Sequence, residues 1–267
     1  MSSRDLTTLD AVKKWLSIST TDSDAVLSSL ITQISGFVYN KTSRSFFVPR
    51  TVTELYDGLG GTRMLLTNWP VTKVTELKIS GTVVSPAGDY PSSGWILEAA
   101  PDDPPGLMQR LDLRGYTFLS GTKNVSVTYV AGYQVENEAV TTPSSGAVPV
   151  AAPYGRWASD MGVTRVSTGL PLTKVSSAPS SGQYSVDASG NYTFGDSSIA
   201  VLVSYGYIPA DLERAVIEWV AERFKYKDRI GYRSKSLGGA ESVSFDNRAV
   251  PEIVGAVIQT YTRVVSC

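Results

Sequence analysis

The chain has 267 residues, enough for one large domain or two modest ones around a full hydrophobic core. Charged residues are only 18% of it, under the roughly 25% of ordinary soluble domains, and 24 basic against 25 acidic side chains leave a formal charge of -1, so no bulk field draws the molecule to nucleic acid or an anionic membrane. Histidine is absent and the lone cysteine is Cys267, which excludes His-dependent triads, imidazole metal sites, disulfide frameworks and thiolate zinc clusters; no cofactor or metal is expected.

Residues 1–9 lack the apolar run of a signal peptide, and no later stretch approaches the ~20 apolar residues that span a bilayer. The expectation is a soluble protein made in a reducing compartment. Thr7 and Thr8 cap a helix start at Leu9, with Val12, Trp15 and Leu16 on one face. A second helix starts around 22–24, where Val26, Leu27, Leu30, Ile31, Ile34, Phe37 and Val38 form a stripe broad enough to be buried.

From Thr51 the period becomes two. Val52, Glu54 and Tyr56 alternate with Thr53, Leu55 and Asp57, and the glycine turn at 58–61 followed by a strand at 64–67 predicts a hairpin. Further strands are predicted at 74–79, 81–85, 95–97, 107–113 and 125–130, giving a mostly antiparallel β region. Residues 134–206 are poor in charge and rich in Ser, Thr, Ala, Gly and Pro. Strand candidates there fall at 147–151, 163–166, 183–186, 192–194 and 199–205, and Tyr154, Trp157, Tyr184, Tyr192, Phe194 and Tyr205 argue for a small folded β module over a linker. The segment ending Val130-Ala-Gly-Tyr133 rhymes with the one ending Ser204-Tyr-Gly-Tyr207, so the module reads as interrupting a strand-to-helix junction.

Pro209 opens a third helix with Leu212, Ala215, Val216, Trp219, Val220 and Phe224 along one side. Its end is basic: Arg223, Lys225, Lys227, Arg229, Arg233 and Lys235 either form a solvated helix end or contact phosphate or an acidic partner. A stretch at 234–245 reads as mobile and precedes a last helix after Pro251, with Ile253, Val254, Val257, Ile258 and Tyr261 on one side. Amphipathic helices this short need partners, so the expected fold class is α+β: a small four-helix core of residues 1–47 and 207–267, carrying an antiparallel β insertion at 48–133 and a second β module at 134–206.

Residues 58–61 fit no phosphate-binding fingerprint and read as a turn. Asp102 and Asp103, with Asp112 or Asp89, sit among prolines and read as surface carboxylates, as do Glu136 and Glu138. The aromatic residues of 134–206 read as core packing, with a sugar-binding platform as the other reading.

The two chain ends suggest a family. Leu6-Thr-Thr-Leu-Asp-Ala-Val-Lys-Lys-Trp-Leu16, Asp22-Ser-Asp-Ala-Val-Leu27 and Asn40-Lys-Thr-Ser-Arg-Ser-Phe46 resemble the N-terminal helix pair of head-to-tail connector (adaptor, or head completion) proteins of long-tailed bacteriophages. Tyr56-Asp57-Gly58 with Asn68-Trp-Pro-Val71 resembles the hairpin that follows, and Ile208-Pro-Ala-Asp-Leu-Glu-Arg-Ala-Val-Ile-Glu218, Arg223-Phe-Lys-Tyr-Lys-Asp-Arg-Ile-Gly231, Ser234-Lys-Ser-Leu-Gly-Gly239, Val243-Ser-Phe245 and Pro251-Glu252 resemble the closing segment. The 134–206 module departs from the compact members.

The resemblance implies a non-enzymatic virion protein at the head-tail interface, made in the host cytoplasm. It implies a ring of on the order of a dozen copies beneath the portal protein, extending the DNA channel and joining the capsid to the next neck, stopper or tail-terminator protein. Double-stranded DNA passes without sequence readout, and no membrane is involved. By position, the resemblance puts the portal and ring interface at Ser234, Lys235, Ser236, Leu237, Gly238, Gly239, Phe245, Ile253, Val257, Tyr261 and Arg263, while Arg223, Lys225, Lys227, Arg229 and Arg233 are candidates for DNA or acidic-partner contact. Two other readings are a receptor- or glycan-binding β module of a phage particle, and an enzyme using Asp102, Asp103 or Asp112.

Overall fold

The computed structural model describes residues 4–98, 109–226, 234–237, 241–244 and 250–262. The chain divides into two compact units: one runs to Ser45 and takes in Pro209–Thr262, the other spans Phe46–Ile208.

The first unit is helical. Helix α1 (Leu9–Leu16) starts where the Thr8 side chain accepts the Ala11 N–H at 3.1 Å, and stops where Ser17 turns left-handed at φ 57° and returns its N–H to the Lys13 and Lys14 carbonyls. Helix α2 (Asp24–Thr42) ends the same way at Ser43, φ 53°. Both pack on α3 (Ala210–Tyr226), which also packs on α4 (Glu252–Thr260). The shared core comprises Val12; Leu27, Ile31, Ile34 and Val38; Leu212, Val216, Trp219 and Val220; and Val254 and Ile258. Residues 4–7 are strapped onto this bundle. Leu6 is fully buried, its N–H donates to Ser35 Oγ at 3.0 Å, and Thr7 Oγ1 donates to Glu213 at 3.1 Å.

The second unit is all β. Its first sheet has the order β1-β7-β3-β4, from Arg50–Gly58, Gly121–Ala131, Val71–Ile79 and Thr82–Val84. Alternate residues of the central strand β7, Val125, Val127, Tyr129 and Ala131, are buried, the two-residue period of a half-covered sheet. A second sheet, β2-β6-β5 (Arg63–Leu65, Arg110–Arg114, Gly94–Glu98), adds Leu111 and Leu113 to the same core, which Leu66, Val74, Leu77, Ile79 and Phe118 complete. Beyond Tyr133 come two more sheets. One is β10-β14-β8 (Gly155–Arg165, Ala200–Pro209, Gln134–Thr141), and the other is β11-β12-β13-β9 (Thr173–Lys174, Gln183–Val186, Asn191–Phe194, Ala147–Pro149). Their core is Val163, Tyr184, Tyr192, Val201, Val203 and Tyr205. The first unit also holds an antiparallel ribbon of β15 (Ser234–Leu237) and β16 (Glu241–Ser244).

This overturns the expected fold class. Strands hold 39% of the chain and helices 23%, so the protein is mainly β and not a four-helix core with small β insertions. The physical reason lies in the burial. Of the largest fully buried side chains, Tyr129, Tyr192, Tyr205, Phe118, Leu66, Leu77 and Leu111 belong to the β unit, against Leu27 and Ile31 on helices. The predicted hairpin is corrected too. Strand β1 pairs with β7, from Arg50↔Ala131 to Gly58↔Gly121, and β2 pairs with β6, so the turn at 58–61 joins strands of different sheets. Gly58 is required there, because a Cβ would lie 1.9 Å from the Leu119 carbonyl oxygen.

Candidate functional site

Among the residues expected at an interface, the structure separates outward from inward. On α4, Ile253 is 66% exposed and Val257 half-buried, while Tyr261 just beyond the helix is buried. The Tyr261 hydroxyl donates to Asp211 Oδ1 at 2.5 Å and its carbonyl accepts from Arg44 Nε at 2.7 Å, so this ring locks the start of α3 and the end of α2 onto α4. It is a core residue of the helical unit. Ser234, Lys235, Ser236 and Leu237 form β15, in register with β16 from Ser234↔Ser244 to Leu237↔Glu241; the stretch read as mobile holds regular antiparallel pairing. Gly238, Gly239, Phe245 and Arg263 lie outside the described residues, as do Lys227, Arg229 and Arg233 of the basic run. Arg223 and Lys225 occupy the last turn of α3, Arg223 half-buried and Lys225 exposed.

Three residues assigned from the sequence to the apolar helix faces, Trp15, Val26 and Phe37, are exposed. Val26 is 49% exposed, outside the stripe it was assigned to. Phe37 meets Trp219 edge-on with ring centroids 5.0 Å apart, under the Lys41 ammonium at 5.5 Å. Trp15 lies beneath the Arg214 guanidinium, 3.7 Å from the ring centre. The signal was present in α2, whose apolar residues spread over more of the circumference than a single buried face can hold.

In the β unit the residues quoted for the family resemblance come together. The Tyr56 hydroxyl donates to Glu54 and accepts from the Thr67 N–H at 2.9 Å; the Tyr129 hydroxyl donates to Glu54 Oε2 at 2.5 Å and accepts from the Asn68 N–H at 3.2 Å; Asn68 Nδ2 donates to Glu54 Oε1 at 2.9 Å. One carboxylate therefore ties β1, β7 and the turn before β3 together. Burial, then hydrogen bonding to Glu54, pushes both tyrosine pKa values above the ordinary 10, so the phenols stay neutral donors. Tyr56 and Asn68 were legible as motif residues; Glu54 and Tyr129 were not.

Of the aromatic residues of 134–206, Tyr184, Tyr192 and Tyr205 are core, Trp157 and Phe194 pack against them, and Tyr154 is exposed. Tyr184, Tyr192 and Phe194 pack with centroids 5.9 to 6.4 Å apart, and both hydroxyls donate to the Asp160 carboxylate, at 2.9 and 3.0 Å, which Lys174 also pairs at 3.0 Å. Tyr205 is fully buried with its hydroxyl on Glu138. Of the candidate acids, Asp112 sits 3.2 Å from Arg110 and 3.8 Å from Arg63, Glu136 accepts from Gln134, and Asp102 and Asp103 lie outside the described residues. Among the described residues no group of three or more acidic or cysteine side chains is placed to hold a metal ion. No described helix is long and apolar enough to cross a membrane.

Residues 5–109 match the model of the head completion protein family. The resemblance to head-to-tail connector proteins is borne out over that stretch; the match does not reach the closing segment after residue 207. No curated protein matches the chain. Among solved structures, a chain in the neck of an empty GTA particle computed with C6 symmetry aligns over 100% of this chain and 95% of its own, with 15% identity and a TM-score of 0.42.

Proposed function

We propose, from the head completion match over residues 5–109, that this is a structural protein of the phage head-neck region, a connector that assembles as a ring of on the order of a dozen copies beneath the portal. It extends the DNA channel and presents a platform to the next neck, stopper or tail-terminator protein, with DNA passing unread. That match is the observation that carries the reading. The near-neutral charge is compatible with it, since a channel element that bound DNA tightly would hinder its passage. The portal and ring contacts belong to the β15–β16 ribbon and the outer side of α4 at Ile253 and Val257, and not to Tyr261, which is consumed inside its own unit. Arg223 and Lys225, in the last turn of α3, are the candidates to face the channel or an acidic neighbour. The reading requires no catalysis, and the protein acts inside the virion.

The test is electron microscopy of the purified protein mixed with its portal. A ring seated on the portal is expected. Particles that assemble a complete neck and tail without this protein would overturn the reading.

A further inference from the structure

The chain passes three times through one small region of the β unit: at Phe47–Pro49, at Gly132–Tyr133, and at Gly206–Tyr207. The passes are bonded to one another. The Tyr133 N–H donates to the Phe47 carbonyl at 2.8 Å, and the Tyr207 N–H donates to the Tyr133 carbonyl at 3.0 Å. Pro49 is gripped by two glycines, since a Cβ on Gly132 would lie 2.6 Å from Pro49 N and one on Gly206 would lie 2.3 Å from Pro49 Cδ. The rhyme between the two Gly-Tyr pairs thus has a steric cause: each glycine lets its stretch of backbone press against the same proline. Across the joint runs an aromatic ladder, Trp69 to Tyr133 at 6.3 Å, Tyr133 to Tyr207 at 5.9 Å, and Tyr207 to Tyr154 at 5.9 Å.

We infer that residues 134–206 form a rigid arm, held at a fixed angle to the 46–133 sheets by this joint, and not a tethered module that swings. An insertion on a flexible tether would be joined by exposed polar backbone; here the crossing carbonyls and N–H groups are bonded to each other and backed by rings that meet edge-on or tilted, so bending would break several contacts at once. In an assembly built from repeated copies, such an arm places the same surface at the same position on every copy.

The inference is independent of the portal reading, because the isolated full-length protein tests it. Backbone nitrogen-15 relaxation is measured on residues 46–98, 109–133 and 134–206. Equal rotational correlation times are expected for all three sets. In the Tyr133→Ala/Tyr207→Ala double variant the 134–206 set should shorten by about a factor of two while its amide shifts persist, showing a loosened but folded arm. The Tyr207→Phe variant keeps the ring and should behave as the parent. Faster tumbling of 134–206 in the parent protein overturns the inference, and so does a double variant that stays folded with an unchanged correlation time.

Discussion

The grip on Pro49 can be dissected with three glycine-to-alanine substitutions that divide backbone strain from steric clash. Gly146 has φ +81° and nothing within 4 Å of a would-be Cβ, so Gly146→Ala costs only left-handed strain, about 1 kcal/mol. Gly206 carries no such φ, but its Cβ would overlap the Pro49 ring at 2.3 Å and Ser159 Oγ at 2.5 Å, so Gly206→Ala costs about 1–3 kcal/mol of overpacking. Gly132 combines φ +129°, closed to residues with a Cβ, with backbone atoms of Pro49 at 2.6 and 2.7 Å, and neither a strained backbone nor a proline nitrogen yields easily. Gly132→Ala therefore costs about 4 kcal/mol, the sum of the two effects. For a unit of this size that lowers the melting temperature by on the order of 10 °C. Hydrogen exchange read by mass spectrometry over 46–98 and 109–208 reports on this unit alone, and protection there should fall in the order Gly146→Ala, Gly206→Ala, Gly132→Ala. If Gly206→Ala is as mild as Gly146→Ala, or Gly132→Ala no worse than either, the proline is not packed as described and the steric argument fails.

Tyr129→Phe removes the hydroxyl that serves both Glu54 and the Asn68 N–H, and urea denaturation should show a loss of about 2 kcal/mol; an unchanged midpoint would mean that water replaces it freely. Asp187 and Asp196 have carboxyl pKa values held below the ordinary 3.8, the first by hydrogen bonds from Asn191 and the second by Ser181 and Gly182. Their folded pKa values lie below the unfolded ones, so their contribution is present above pH 3.8 and is lost as pH falls below it. Acid titration should therefore weaken residues 134–206 less in Asp187→Asn and Asp196→Asn than in the parent. Tyr56, Tyr129, Tyr184, Tyr192 and Tyr205 have raised pKa values, chiefly from burial, so the stabilisation they carry is complete below pH 10 and disappears as pH rises beyond it. Phenolate absorbance from these residues should appear only together with loss of near-ultraviolet dichroism; their ionisation near pH 10 in an intact fold would refute the burial argument.

What the sequence disclosed depended on the range of the interactions involved. The α3 stripe of Leu212, Ala215, Val216, Trp219 and Val220 is local and was read correctly as buried, and the strand candidates at 183–186 and 192–194 coincide with β12 and β13. Partner choice is not local. The glycine turn at 58–61 advertised a hairpin, but β1 gains more by lying along the eleven-residue β7 than beside the three-residue β2, and nothing near residue 60 records that strand arriving from residue 121. The fold class failed for a related reason. Residues 134–206 carry little charge or helix signal, yet Tyr184, Tyr192 and Tyr205 bury as deeply as the core side chains of the rest of the protein. At the expected interface, periodicity placed Ile253 and Tyr261 on one face of α4, whereas the chain leaves the helix at Thr260 and turns the Tyr261 ring inward to Asp211.

The tight joint at Tyr133 and Tyr207 also bears on how such a gene can change length. The polypeptide departs from the 46–133 sheets and comes back to them within a single hydrogen bond's reach, so 73 residues occupy a detour whose two ends already touch. Closing that gap with a tight turn costs little chain entropy, and β7 with its neighbours β1 and β3 need not shift. Shortening, replacing or extending the segment is expected to leave the order of β1, β7 and β3 as it is.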